Sequence, residues 1–165
     1  MTDAPSRAAV LQAKIALGLL VVLLVVGAVW YGVSAESLGR MLSDIRDRPG
    51  GPMTFRFILQ PAMAVIAALR DGVKDARLAR PPYFSAILRV DDRWRDRLWE
   101  GILATARILI LGVVMDTIYQ ISVLRTFYPG QAAVVAVLLA FLPYLLLRGP
   151  INRIARRWFV HAAPK

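Results

Sequence analysis

The stretch VVMDTIYQIS, residues 113–122, begins as a run that hydrocarbon accepts and then sets a carboxylate, Asp116, inside it. A charge near the centre of a bilayer costs at least about 2.5–3.5 kcal/mol, so such an acid finds a cation, takes up a proton or serves a path for protons or ions. Gln120 follows one turn later on the same helical face. Arg56 and Gln60 belong to a second apolar stretch, residues 52–69. If these two stretches cross in opposite directions with a rise of about 1.5 Å per residue, Asp116 lies roughly 13 Å below one face and Gln60 about 9–12 Å below it. Arg56 lies some 6 Å nearer that face, about the reach of its side chain. Asp116, Gln120, Arg56 and Gln60 are therefore expected to form one intramembrane polar cluster, a structural clasp between two helices. A functional acid on a proton or ion path and contact with a polar group of another protein are the alternatives. Arg107, nine residues before Asp116, falls on the opposite side of its helix and is expected to reach toward the near surface.

Other chemistry is sparse. In "DGVKDAR", Asp71 and Asp75 stand one turn apart beside Lys74 and Arg77. Two carboxylates at that spacing can hold a divalent cation, but a solvated, charged helix end is the expected reading. The chain has no cysteine and one histidine, His161, so disulfides, thiolate metal sites and thiol nucleophiles are excluded. Two-histidine haem ligation, an HExxH zinc site and a Ser/His triad find no support. There is no Gly-rich phosphate loop followed by Lys-Ser/Thr and no GxSxG. No catalytic, metal-ligating or cofactor-binding residue is assigned, and a non-enzymatic protein is expected.

The elements that must position the acid are helices in a membrane. Across 165 residues, 58% are hydrophobic and the mean hydropathy is +0.54, well above an ordinary soluble domain, whose apolar fraction is roughly 45–50%. Residues 15–33 run without a charge, close to the ~20 residues needed to span. Trp30 and Tyr31 suit an interfacial belt. Val33-Ser34-Ala35 also reads as a possible signal-peptidase site, although the apolar run exceeds a usual signal core. Further spans are expected at 52–69, 102–124 and 131–147. The second is the weakest, because Arg56, Gln60 and Pro61 interrupt it, and a re-entrant or in-plane helix is its rival. "RTFYPGQ" marks a tight turn, Pro143 is expected to kink or loosen the last span, and Ala132, Ala136 and Ala140 form a stripe suited to close packing.

Between and beyond the spans lie amphipathic patterns. Leu38, Met41, Leu42 and Ile45 share one face of a short helix that stops before "RPGG". Ile87, Val90, Trp94 and Leu98 share another, with Arg89, Asp92, Arg93 and Asp96 opposite, as an interfacial or partner-binding helix. Pro150 suits the first turn of a new helix. From there Ile151, Ile154, Ala155, Trp158 and Phe159 line one side of residues 150–160 and Arg153, Arg156 and Arg157 the other. Arg153, Arg156, Arg157 and Trp158 are accordingly the expected contacts with anionic lipid. The net charge of +10 is explained by these membrane-flanking arginines without nucleic acid. With four spans, fifteen Lys and Arg fall on the side of both termini and five on the other, which makes both termini cytoplasmic.

"RFILQPAMAVIAALRDGVKDAR" and "DTIYQISVLRTFYPGQAAVVAVLLAFLPYLLLRGPINRIARRW" resemble an uncharacterised family of small multi-pass bacterial membrane proteins, over residues 54–158. The resemblance implies a bacterial inner-membrane location and a helical fold, and brings no activity, cofactor or catalytic residue. The expectation is thus one all-α membrane domain over residues 1–165, with four transmembrane helices and interfacial amphipathic helices. Its expected role is a scaffold or accessory subunit associating with lipids, other membrane proteins or itself. A small oligomeric channel or proton-coupled transport component using Asp116 is the alternative.

Overall fold

The computed structural model describes residues 5–81, 83 and 94–161, and among these the chain is all-α with no strand. The described residues form six α-helices: α1 (Arg7–Tyr31), α2 (Ala35–Asp47), α3 (Arg56–Arg77), α4 (Trp94–Tyr119), α5 (Pro129–Ala136) and α6 (Leu142–His161). Among the described residues three helical rods are long and apolar enough to cross a membrane: α1, α4 with its continuation to Leu124, and the rod from Pro129 to Trp158. They are compatible with a membrane-embedded protein.

Each boundary has a local cause. Ser6 starts α1, its hydroxyl accepting the Ala9 N–H at 3.2 Å, so the helix begins eight residues before the apolar run. Gly32, at φ +70°, ends it, a backbone conformation that favours glycine. Ser34 then caps α2, accepting the Ser37 N–H at 3.1 Å. The amphipathic α2 ends in a 3-10 turn, Arg48–Gly50, where "RPGG" breaks the pattern. A π-helical turn, Gln120–Leu124, closes α4, and Arg125 reverses the chain at φ +54°.

α4 is the centre of the bundle. α1 packs against it and α5, while α3 packs chiefly against α6. Small residues permit these approaches. A Cβ on Gly27 would lie 2.5 Å from the Gly130 backbone nitrogen, so α1 and α5 meet backbone to backbone. The expected alanine stripe is fully buried, and a Cβ on Gly112 of α4 would stand 3.0 Å from the Ala136 Cβ. α3 carries a second stripe, Gln60, Ala64, Ala68, Gly72 and Ala76, all buried at four-residue spacing, with Gly72 against Arg148 and Ile151 of α6.

Several expectations change. The weak stretch 52–69 becomes α3, starting at Arg56 and continuing to Arg77, so "DGVKDAR" is the last part of a packed helix and not a solvated end. The loosening assigned to Pro143 falls one turn earlier, in a π-helical turn at Val137–Phe141 that joins α5 to α6. Pro150 does not begin a helix. It lies inside α6, because Arg148 and Asn152 on either side of it are both bonded across to α3 and the chain that follows it, and that docking holds the rod together through the missing N–H. Most of the amphipathic helix expected around residues 84–98 lies outside the described residues; its described part opens α4, where Arg97 is buried and Trp94 and Leu98 are only partly covered.

Candidate functional site: two buried clusters of charge

The first cluster gathers at the end of the bundle where α2 meets α3. Asp116 of α4 is fully buried, and so are Arg48 and Arg56, each 1% exposed. Both arginines use Nη1 on the same oxygen, Asp116 Oδ1, Arg56 at 2.8 Å and Arg48 in close contact. The other oxygen, Oδ2, accepts the Gln120 amide at 2.6 Å. Gln120 in turn accepts the Tyr128 N–H at 2.5 Å, tying the acid to the chain that enters α5. The Tyr119 ring underlies both guanidiniums, with Arg56 Cζ at 4.4 Å and Arg48 Cζ at 5.0 Å from its centroid, a favourable use of the ring face where charge is desolvated.

Of the four residues expected together, Asp116, Arg56 and Gln120 make direct contacts. Gln60 is buried one turn from Arg56, but its Oε1 has no partner and faces the Gly112 region. Arg48 is the member that sequence reasoning missed. It precedes α3 by a Pro- and Gly-rich connector, and only that connector's path brings it back over Asp116. Arg107, exposed as its helical position implies, donates from Nε to Gln12 Oε1 of α1 at 2.9 Å.

A second cluster occupies the other end of α3. Asp75 is 1% exposed and receives Arg148 Nε on Oδ2 at 2.8 Å and Arg97 Nη1 on Oδ1 at 3.4 Å. Glu100 receives Arg148 Nη2 at 3.0 Å and Arg97 Nη1 at 3.1 Å, and Arg80 approaches both acids. Tyr144 donates to Asp71 Oδ2 and accepts from Arg148 Nη1, each at 2.7 Å. Tyr83 donates to the Arg97 carbonyl at 2.6 Å, and its ring carries the Arg148 guanidinium 4.2 Å from the centroid. Burial pushes the Tyr83 phenol up to about 12, so it remains a donor at neutral pH. Three carboxylates thus face three guanidiniums. The paired acids Asp71 and Asp75 are committed to a tyrosine and to arginines, and among the described residues no group of three or more His, Asp or Glu could hold a metal ion.

The residues expected at a lipid surface are divided. Arg153 and Arg157 are exposed, and Trp158 is 76% exposed. Arg156 instead bonds the Arg80 carbonyl. The buried face of this stretch carries Asn152, while Ile154 is 60% exposed. Between α1 and α2 runs an apolar groove of about 500 Å³ floored by Leu24, Ala28 and Val134 and rimmed by Arg40 and Asp44.

No family model, curated protein or solved structure matches this chain.

Proposed function

We infer that the protein is a non-enzymatic integral membrane scaffold or accessory subunit, held rigid by its two charge clusters and associating through α1 with lipid and with other membrane proteins or copies of itself. The observation that carries this reading is the surface of α1. Only Ala13, Ala16, Leu20 and Gly27 of its 25 residues are buried. Val21, Val22, Val25 and Val29 are all more than half exposed, an unbroken apolar face available to a neighbouring helix or to acyl chains.

α3 is read as the fourth span. Its low apolar content comes in part from Arg56, Gln60 and Asp75, which are buried, and in part from Arg70, Asp71, Lys74 and Arg77 in its last two turns, where Arg70, Lys74 and Arg77 are exposed. Before those turns Ile58, Leu59, Ile66 and Leu69 face outward. Along α3 the two clusters are separated by about 28 Å from Arg56 to Asp75 at the helical rise, close to the ~30 Å of a hydrocarbon layer. Four spans put both termini on one side, and the distribution of Lys and Arg makes that side cytoplasmic. On this reading α2 lies at the outer interface, and Arg153, Arg157 and Trp158 meet anionic lipid at the inner one. A bacterial inner membrane is the location that the resemblance over residues 54–158 favours. Asp116 is committed to three donors, which supports a clasp over a carboxylate that loads and releases protons.

Purification after mild solubilisation tests the role. A partner or a second copy retained in fixed ratio, and lost on Val25→Arg, is expected; a bare monomer whose behaviour Val25→Arg leaves unchanged would sink the scaffold reading.

A further inference from the structure

The two clusters differ in charge balance. At the Asp75 end Asp75 and Glu100 are paired with Arg80, Arg97 and Arg148, Asp71 is held by Tyr144, and none of those three arginines has a buried nitrogen without a partner. The neighbouring Arg156, bonded to the Arg80 carbonyl, keeps a single buried Nε unpartnered there. At the Asp116 end two buried arginines share one carboxylate, leaving one positive charge in surplus. The unsatisfied atoms have a pattern. Arg48 and Arg56 both spend Nη1 on Asp116, and in both Nε and Nη2 are buried without a hydrogen-bond partner. Nε and Nη2 form the lateral edge of a guanidinium, the two-donor fork that matches a pair of oxygens on one phosphorus or carbon. Burying a charged donor without an acceptor is costly, and here two complete forks are left over. Gln120 and Tyr119 do not relieve them: Gln120 bonds Asp116 and Tyr128, and Tyr119 offers its ring face.

We propose that the free edges of Arg48 and Arg56 form an oxyanion site that takes a phosphate group. A phosphodiester carries one negative charge and would neutralise the surplus, and its non-bridging oxygens suit two guanidinium forks. The connector that begins with Arg48 and leads into Arg56, residues 48–55, is a 3-10 turn followed by irregular chain with Met53 at φ +64°, so the arginines stand at the two ends of a loop and a headgroup or free anion would enter beside it. The group is either the headgroup phosphate of a lipid or free inorganic phosphate; both present the same chemistry to the forks.

The test uses the full chain purified in a neutral detergent. Thermal unfolding is followed by tryptophan fluorescence in inorganic phosphate and in chloride at matched ionic strength, and native mass spectrometry scores retained phosphatidylglycerol. Stabilisation by phosphate above chloride supports the site with a free anion as ligand. Retained phosphatidylglycerol without a response to free phosphate supports it with a lipid headgroup. Arg48→Gln removes the surplus charge and one fork, and should weaken either ligand about tenfold or more. Arg48→Lys keeps the charge without the fork; measured against its own melting in chloride, it should show a smaller gain from phosphate than the wild type does. Equal melting in phosphate and chloride with no phosphatidylglycerol retained overturns the proposal, and so does a correctly folded Arg48→Lys that binds as tightly as the wild type.

Discussion

Arg148 Nε and Asp75 Oδ2, 73 residues apart in the chain, lie 2.8 Å from each other in the buried interface between α6 and α3. That bond bridges the two elements that pack together most extensively. It is surrounded by Glu100, Arg97 and Tyr144, so removing Asp75 takes the buried acid from two guanidiniums at once and leaves them only the part-exposed Glu100. Breaking one side of such a buried pair costs about 3–5 kcal/mol. Asp75→Ala is expected to lose that much stability in detergent, measured by thermal or denaturant unfolding, whereas Asp96→Ala, at an exposed site of α4, should change it by less than about 0.5 kcal/mol.

The Asp116 clasp should show strong coupling. Asp116→Leu leaves Arg48 and Arg56 buried without their acid and is expected to be the most damaging single change there. Adding Arg56→Leu and then Arg48→Leu should recover much of the loss, since replacing a whole buried ionic group by apolar side chains is often neutral. If the triple variant is no more stable than Asp116→Leu alone, the three do not act as a unit.

Helix contact depends on missing side chains. At Gly27 the obstacle is the Gly130 backbone, 2.5 Å from the added Cβ, which cannot rotate away. Gly27→Ala should therefore cost about 1–3 kcal/mol by forcing α1 from α5. Gly39 of α2 faces open space, and Gly39→Ala should gain up to about 1 kcal/mol from helix propensity.

The phenol of Tyr83 supplies a pH dependence. Its folded value, near 12, lies above the ordinary 10, so its contribution is complete below pH 10 and is lost as pH rises toward 12. Melting temperature should fall over that range, and Tyr83→Phe should remove part of the fall while lowering stability at pH 7 through loss of the bond to Arg97.

Orientation is open to direct measurement. Reporter fusions at residues 45, 85 and 165 should read outside, inside and inside respectively; an outside signal at residue 85 would mean that α3 does not cross.

Local pattern determined much of this protein. Apolar length marks α1 and the two later rods, even with Arg107 and Asp116 inside one of them, because spanning hydrocarbon requires a mostly apolar run whatever the neighbours are. The alanine stripe follows from the helical repeat, and the closeness of Asp116 to Arg56 from that repeat together with an antiparallel run of the two stretches. What a window of sequence cannot distinguish is polarity turned to water from polarity turned inward. Asp75 reads as part of a solvated helix end, yet it is buried together with Arg97 and Arg148, because α3 and α6 close over them and each charge is satisfied by residues 22 or 73 positions away. Pro150 reads as a helix start for the same reason: its neighbours' cross-helix bonds, not its own preference, decide that the rod continues. Arg48 joins Asp116 only because a short irregular connector folds back over the end of the bundle, a path that no periodicity encodes.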